Sequence, residues 1–315
     1  TENGRQVDLR IVTPEQYPAA LMYFTGSKEH NIVLRQRARD RGMALNEYGL
    51  FKLNSEKETD FDQPVHTESE TEIYQKLDLH YVPPEHREDR GEFEYYAEHE
   101  SMELLEKDQI KGVVHAHSTW SDGKYSIKQM ADACIERGYE YLTVTDNSKT
   151  AAYAGGLSID EVKQQWDEID ELNEEYSKKD FRIFKGIESD ILADGSLDYP
   201  DEILEGFDIV IASVHSGLEM DFDRMMERFE KAIDNPYTHM IGHPTGRLLL
   251  KRSESKMDIN KLIERAVNKG VAIEINANPW RLDLDWRYGN KAKETGLLTS
   301  INPDAHTTDG IDNIR

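Results

Sequence analysis

Cysteine, basic charge and long apolar runs are all scarce in this 315-residue chain. Its single cysteine, Cys134, excludes an intramolecular disulfide. Cys134 falls on an apolar helical stripe, which marks it as a buried structural thiol rather than a nucleophile, and such usage suits a cytoplasmic protein. No apolar run reaches the roughly 20 residues that span a bilayer, and nothing resembles a secretory signal. Lys and Arg number 38 against 62 Asp and Glu, a formal net charge of −24. That surplus reads as a solvated surface and argues against tight non-specific binding to a polyanion. The imbalance is uneven: Glu58 to Gln109 is strongly acidic, whereas Lys28, Arg35, Arg37, Arg39 and Arg41 form a local basic stretch. The length allows two domains with full cores.

What the chain does have is a series of histidines and carboxylates at the ends of strand-like runs. His115-Ala-His117-Ser118 leads into Ser121-Asp122-Gly123. Thr145-Asp146-Asn147, Gly186-Ile187-Glu188, Ser213-Val214-His215, Gly242-His243-Pro244 and Pro303-Asp304-Ala305-His306 follow. Imidazole and carboxylate are ligands for zinc, manganese and iron. In His115-x-His117 the two side chains share a face, because side chains alternate along a strand. A lone HxH carries little weight. The repetition is strong, because the runs Gly112 to His117, Tyr141 to Asp146, Phe181 to Glu188, Ile209 to His215, His239 to His243 and Leu298 to Asp304 all carry polar residues at the same end. Residues gathered in this way build a site for two or three adjacent metals, which suits attack of an activated water on a phosphate ester.

Amphipathic helix patterns separate these runs. Ile127, Met130, Ala131, Cys134 and Ile135 make one stripe, ended by Gly138. Ser158 with Glu161 caps a long helix from Ile159 to about Lys178. Met225, Met226, Phe229, Ala232 and Ile233 make another stripe, and Ile259, Leu262, Ile263, Ala266 and Val267 a third, closed by Gly270. About seven β-then-α units imply a parallel sheet. With polar residues at each carboxyl end, the simplest closure is a barrel with fewer strands than a TIM barrel.

HAHSTWSDG, VTDNS, GIESDI, SVHSG, GHPTGR and INPDAH resemble, in order, the motifs of the PHP (polymerase and histidinol phosphatase) domain, from about Lys111 to the end. The resemblance implies an α/β fold, a distorted seven-stranded (β/α) barrel holding up to three divalent ions (Zn, Mn or Fe). By position, His115, His117, Glu188 and Asp304 would hold one metal. Glu188 would bridge to a second held by His215 and His243, and Asp122, Asn147 and His306 would hold the third. Asp304, Glu188 and His215 are the residues expected to carry catalysis. Asn147 departs from the family, which has His there, and an amide oxygen is a poorer ligand than imidazole. Asp146 is expected to orient a neighbour, and Glu274, alternating with Ile273 and Ile275, is left unassigned.

Tyr23-Phe24-Thr25-Gly26-Ser27, then Asn31, Leu34-Arg35 and Leu45-Asn46-Glu47-Tyr48-Gly49, resemble the thumb of family X DNA polymerases. Val7-Asp8-Leu9-Arg10 resembles the palm strand that carries that family's third catalytic carboxylate. The implied organisation is end of palm at 1–13, thumb at 14–90, an acidic linker at 91–110 and the PHP domain at 111–315, with a small α+β thumb ahead of the barrel. By this resemblance the chain is a monomeric piece of a longer polypeptide whose amino-terminal polymerase domains are missing. Asp8 lacks the partner carboxylates of two-metal nucleotidyl transfer, so polymerisation is not expected.

The expected activity is metal-dependent hydrolysis at DNA 3′ ends, gapped or damaged: a 3′–5′ exonuclease, with 3′-phosphatase or abasic-site cleavage as variants. A small-molecule phosphatase of the histidinol-phosphate type and an impaired, DNA-binding scaffold are the alternatives. Lys149 and Arg247 are expected to meet phosphate, and Asn31 and Arg35 to face the DNA minor groove by the resemblance. His30, His66, His80, His86, His99 and His239 fit no ligand motif.

Overall fold

Short side-chain caps and alternating apolar runs set the elements of this chain, and a computed structural model describes them for residues 6–99 and 105–314. Two units result, divided between Leu105 and Glu106. In the first, helix α1 (Tyr17–Thr25) has Pro18 in its first turn, where a missing N–H costs nothing. Helix α2 (Lys28–Asp40) is capped by Ser27, whose hydroxyl accepts from His30 N–H. Strands β1 (Met43–Asn46), β2 (Gly49–Leu53) and β3 (Thr59–Val65) form an antiparallel meander. Helices α3 (Glu70–Lys76) and α4 (Glu92–Glu98) complete the unit.

Its core joins Met22, Leu34, Leu50, Ile73, Tyr74 and Leu77 to Phe93 and Tyr96 of α4. The stretch read as an acidic linker is thus structured in part. Phe93 and Tyr96, three apart, share a helix face, and the exposed Glu94 and Glu98 supply the acidity. Residues 100–104 of that stretch lie outside the described residues. His30 is a buried connector: Nδ1 lies 2.6 Å from Glu92 Oε1 and Nε2 lies 2.8 Å from the Tyr74 hydroxyl. Burial opposes the Glu92 carboxylate, but hydrogen bonds from His30 and the backbone of Arg90 and Asp89 outweigh it and hold its pKa at about 2. Val7 to Arg10, read as a palm strand, forms no strand. Val7, Leu9 and Ile11 are exposed, and no ladder partner among the described residues satisfies their backbone. Asp8 accepts from Gln6 Nε2 at 3.2 Å.

The second unit is a nearly closed parallel barrel. Strands β4 (Gly112–Val113), β5 (Tyr141–Val144), β6 (Arg182–Asp190), β7 (Ile209–Ser213), β8 (Met240–Ile241), β9 (Ala272–Asn276) and β10 (Thr299–Asn302) lie side by side in chain order. The ends meet just past β4 and β10, where His117 N–H donates to Ala305 O at 2.8 Å and Ala305 N–H donates to His115 O at 3.2 Å. Helices α5 (Ile127–Glu136), α6 (Ile159–Tyr176), α7 (Asp201–Leu204), α8 (Phe222–Asp234), α9 (Ile259–Lys269) and α10 (Gly289–Thr295) make the crossovers. Capping boxes at Ser126/Gln129 and Ser158/Glu161 start α5 and α6. Cys134 is buried on α5, and burial pushes its thiol up to about 12, which leaves it inert. Among the described residues no helix is long and apolar enough to cross a membrane.

Strands β4 and β8 are shorter than the runs read for them. Each ladder stops before the site residues, so the chain can turn His115, His117 and His243 inward. Gly242 permits this at β8, because a Cβ there would collide with Ser213 and Ile211. His243 and Asp304 both have left-handed backbones, at φ 22° and 50°. Strain of that kind persists where the surroundings over-determine a conformation, and it clusters at functional sites.

Candidate metal centre

Four ligand atoms from three parts of the barrel face one point. Glu188 Oε2 lies 3.5 Å from His115 Nε2 and 3.6 Å from His117 Nε2. Asp304 Oδ1 lies 3.7 and 3.3 Å from the same two nitrogens. The other oxygen of Glu188, Oε1, faces a second pair, His215 Nε2 at 3.3 Å and His243 Nε2 at 2.8 Å. A tetrahedral ion with bonds near 2.1 Å would separate its ligands by about 3.4 Å, so these spacings fit an ion among each set. His115 Nε2 and His117 Nε2 are buried with no hydrogen-bond partner. A buried polar atom without a partner costs free energy, and a cation between the nitrogens would remove that cost. A third group, His117, Asp304 and His306, also lies within ligating distance.

The electrostatics ask for positive charge. Burial opposes ionisation of Glu188, yet His215 and His115 hold its carboxyl well below the usual range. Asp304 is likewise depressed against its burial by His115 and His117. Burial disfavours a charged His215, but Glu188 and the hydrogen bond to Asp190 push it up to about 10. His306 is raised against burial to about 9 by Asp122 and Asp304. Divalent ions would neutralise the same carboxylates and take the imidazole lone pairs.

The outer contacts include residues that sequence reasoning missed. Glu274, buried on β9, accepts from His115 Nδ1 at 2.6 Å and from the His243 backbone N–H at 2.6 Å. Asn302 and Asn276 donate to it as well. Asp190 accepts from His215 Nδ1 at 2.5 Å. These bonds direct Nε2 of both imidazoles inward. Asp190 was findable, since it lies two residues beyond Glu188 on the same strand and face. Arg281, whose Nε is 3.3 Å from Asp304 Oδ2, lies past the end of β9 in a loop and carries no periodic signal. Asp146 orients a loop rather than an imidazole, accepting from Ser118, Ser121 and Gln165. If Glu274 fixes His115, Glu274→Gln should weaken metal affinity about 10- to 100-fold with the fold retained. Metal titration followed by calorimetry checks this, and unchanged affinity would refute it.

Asn147 sits where the third group meets the first. Its amide nitrogen donates to Asp122 Oδ1 at 3.1 Å and lies 3.2 Å from His117 Nδ1. Asp122 Oδ2 is 3.2 Å from His306 Nε2. The buried amide therefore bridges two groups without offering them a nitrogen lone pair.

The expected phosphate and groove contacts fare differently. Arg247 is consumed internally, with Nε donating to Arg281 O at 2.9 Å, Nη1 to Asp285 at 2.6 Å and Nη2 to Leu282 O. It braces the loop that carries Arg281 and is not directed at phosphate, because its carbonyl and carboxylate partners already satisfy it. Lys149 leans over the Tyr199 ring at 5.7 Å, with its ammonium 3.9 Å from Asp198. Asn31 donates to Tyr23 O at 2.9 Å and to Gly26 O at 3.3 Å, locking the turn between α1 and α2. Arg35 is exposed on α2.

A nearly closed ring of parallel strands with imidazoles and carboxylates at its carboxyl end defines a metal-site barrel. The family profile described as PHP domain matches residues 114–278, just over half the chain, and the chain belongs to this family. The profile of the DNA polymerase beta thumb matches residues 20–88. The Bacillus subtilis protein named DNA polymerase/3′-5′ exonuclease PolX is 46% identical over 314 residues, all of this chain and 53% of that protein. The chain thus spans about half the length of this relative. Histidinol phosphate phosphatase from Lactococcus lactis shares the fold, with a TM-score of 0.50 at 20% identity over 65% of this chain and 90% of its own. The hisK protein of Listeria monocytogenes does so with a TM-score of 0.52 at 13% identity, over 64% of this chain and 97% of that one.

Proposed function

We propose that the barrel is a metal-dependent phosphoesterase that cleaves phosphodiesters at DNA 3′ ends, and that it works in the cytoplasm in a chain that also carries a DNA-binding thumb. The observation that carries this reading is Glu188, whose two oxygens face two separate histidine pairs in a chain that also carries a polymerase-type thumb. His115, His117 and Asp304 would hold one ion with Glu188, and His215 and His243 a second. Asp122 and His306 would offer a weaker third place beside Asn147. Zinc, manganese and iron all suit this mixed nitrogen and oxygen set. When bound, such ions supply an activated water and neutralise phosphate oxygens. The residues of the chain fix the arrangement: Glu274 and Asp190 set the imidazoles, and Arg281 presents a guanidinium beside Asp304. The Lactococcus lactis phosphatase is complexed with zinc, L-histidinol and phosphate in its crystal structure, which agrees with this chemistry.

The test compares a 5′-labelled oligonucleotide with histidinol phosphate as substrates, each with a chelator and with added zinc or manganese. Shortening of the oligonucleotide from its 3′ end, abolished by chelator, is the expected result. Preference for histidinol phosphate with intact DNA would replace this reading by the metabolite phosphatase.

A further inference from the structure

Near the metal centre stand aromatic and basic side chains that are not among its candidate ligands. Trp280 is 54% exposed, and the Lys251 ammonium stands 4.4 Å from the centre of its ring. Its backbone is pinned, because Leu249 N–H donates to Trp280 O at 2.7 Å and so ties the loop after β8 to the loop after β9. The next residue, Arg281, reaches Asp304 of the metal centre. Arg252, in the same loop after β8, donates from Nε to Gly246 O at 2.9 Å. Beside the His215–His243 pair, the Tyr153 ring is 6.3 Å from that of His215 and 74% exposed. Single exposed aromatics need no explanation. An indole covered by an ammonium and followed directly by a guanidinium that reaches the metal centre, in a chain of net charge −24, calls for one.

We propose that Trp280 and Arg281 form a nucleotide subsite: the indole stacks on a base of the strand being cut, and the guanidinium holds the phosphate next to it. The inference rests on the phosphodiesterase reading above. Every base has a π-face, so stacking tolerates any sequence, while a guanidinium recognises phosphate oxygens by paired N–H donors. The Lys251 ammonium over one face of Trp280 holds the indole in place and leaves the other for the base. The loop–loop hydrogen bond at Leu249 fixes the backbone under the indole, so that stacking adds to the binding of the strand.

The experiment uses the 315-residue chain and two substrates, an oligonucleotide and bis(p-nitrophenyl) phosphate, which has no base to stack. For W280A, KM for the oligonucleotide should rise roughly 10-fold, the value of one base–aromatic stack. Its kcat on the oligonucleotide, its rate on the small diester and its metal content should stay unchanged. W280F should restore most of the lost KM. An unchanged KM in W280A, or equal losses on both substrates that W280F leaves unrepaired, would overturn the subsite. A parent chain that cleaves the small diester but no oligonucleotide would remove the DNA reading and the subsite with it. That failure is distinct, since it appears before any variant is compared.

Discussion

Glu188→Gln should sharply lower the metal content of the centre and remove nearly all of its hydrolysis. The substitution keeps size and shape but removes the negative charge that two histidine pairs share. An amide presents one oxygen and one NH2 group, so one pair would face a donor instead of a ligand. Loss of an outer orienting residue costs about 10- to 100-fold, and a bridging ligand that serves two ions should cost more than roughly 100-fold in turnover. Metal content by mass spectrometry should fall from at least two equivalents to below one, while circular dichroism stays that of the parent. Glu188 is buried, so the loss of charge is felt at its full strength. Retention of two ions with parental turnover would dissolve the binuclear reading, since no other carboxylate faces both pairs among the described residues.

Asn147→His should act in the opposite direction. Asp122 and His306 already lie 3.2 Å apart, and the Asn147 amide nitrogen is 3.1 Å from Asp122. The missing feature is a third strong ligand. Imidazole nitrogen binds a borderline metal far better than an amide does, and metal sites generally take three or more protein ligands. The variant should gain roughly one metal equivalent and hydrolyse a DNA 3′-terminal phosphodiester about 10-fold faster or more. The other ions should be undisturbed, because Glu188, His215 and His243 keep their positions. No added metal and no faster cleavage would locate the limit on activity elsewhere and bring the scaffold reading forward.

Helix starts were legible because caps are local. Ser158 with Glu161 announces α6 in four residues, and Gly270 closes α9 by taking a left-handed conformation. The parallel sheet was legible because β and α patterns alternate along the chain. Site residues followed from the same logic, each at the end of its run. The meander of β1, β2 and β3 was not legible, since strands of four to seven residues with weak alternation are stabilised mainly by their neighbours. Val7 to Arg10, likened to a palm strand by resemblance, forms no strand, because a strand exists only beside a partner and none is supplied among the described residues.

By itself the sequence determined which candidate ligands lie at or just past the ends of strand-like runs: five histidines, the carboxylates of Asp122, Glu188 and Asp304, and the amide of Asn147. Tertiary structure alone decided the division of labour among them. Which oxygen of Glu188 meets which imidazole depends on strands β4, β6, β7 and β8 converging. That Glu274 holds His115 from 159 residues away, and that Arg247 braces a loop while Arg281 reaches Asp304, depends on where loops lie once the ring has closed. Periodicity is a property of neighbours in the chain, and it reports which face a side chain takes. Hydrogen bonds and charge pairs act over about 3 Å in space, and closure of the barrel creates those proximities.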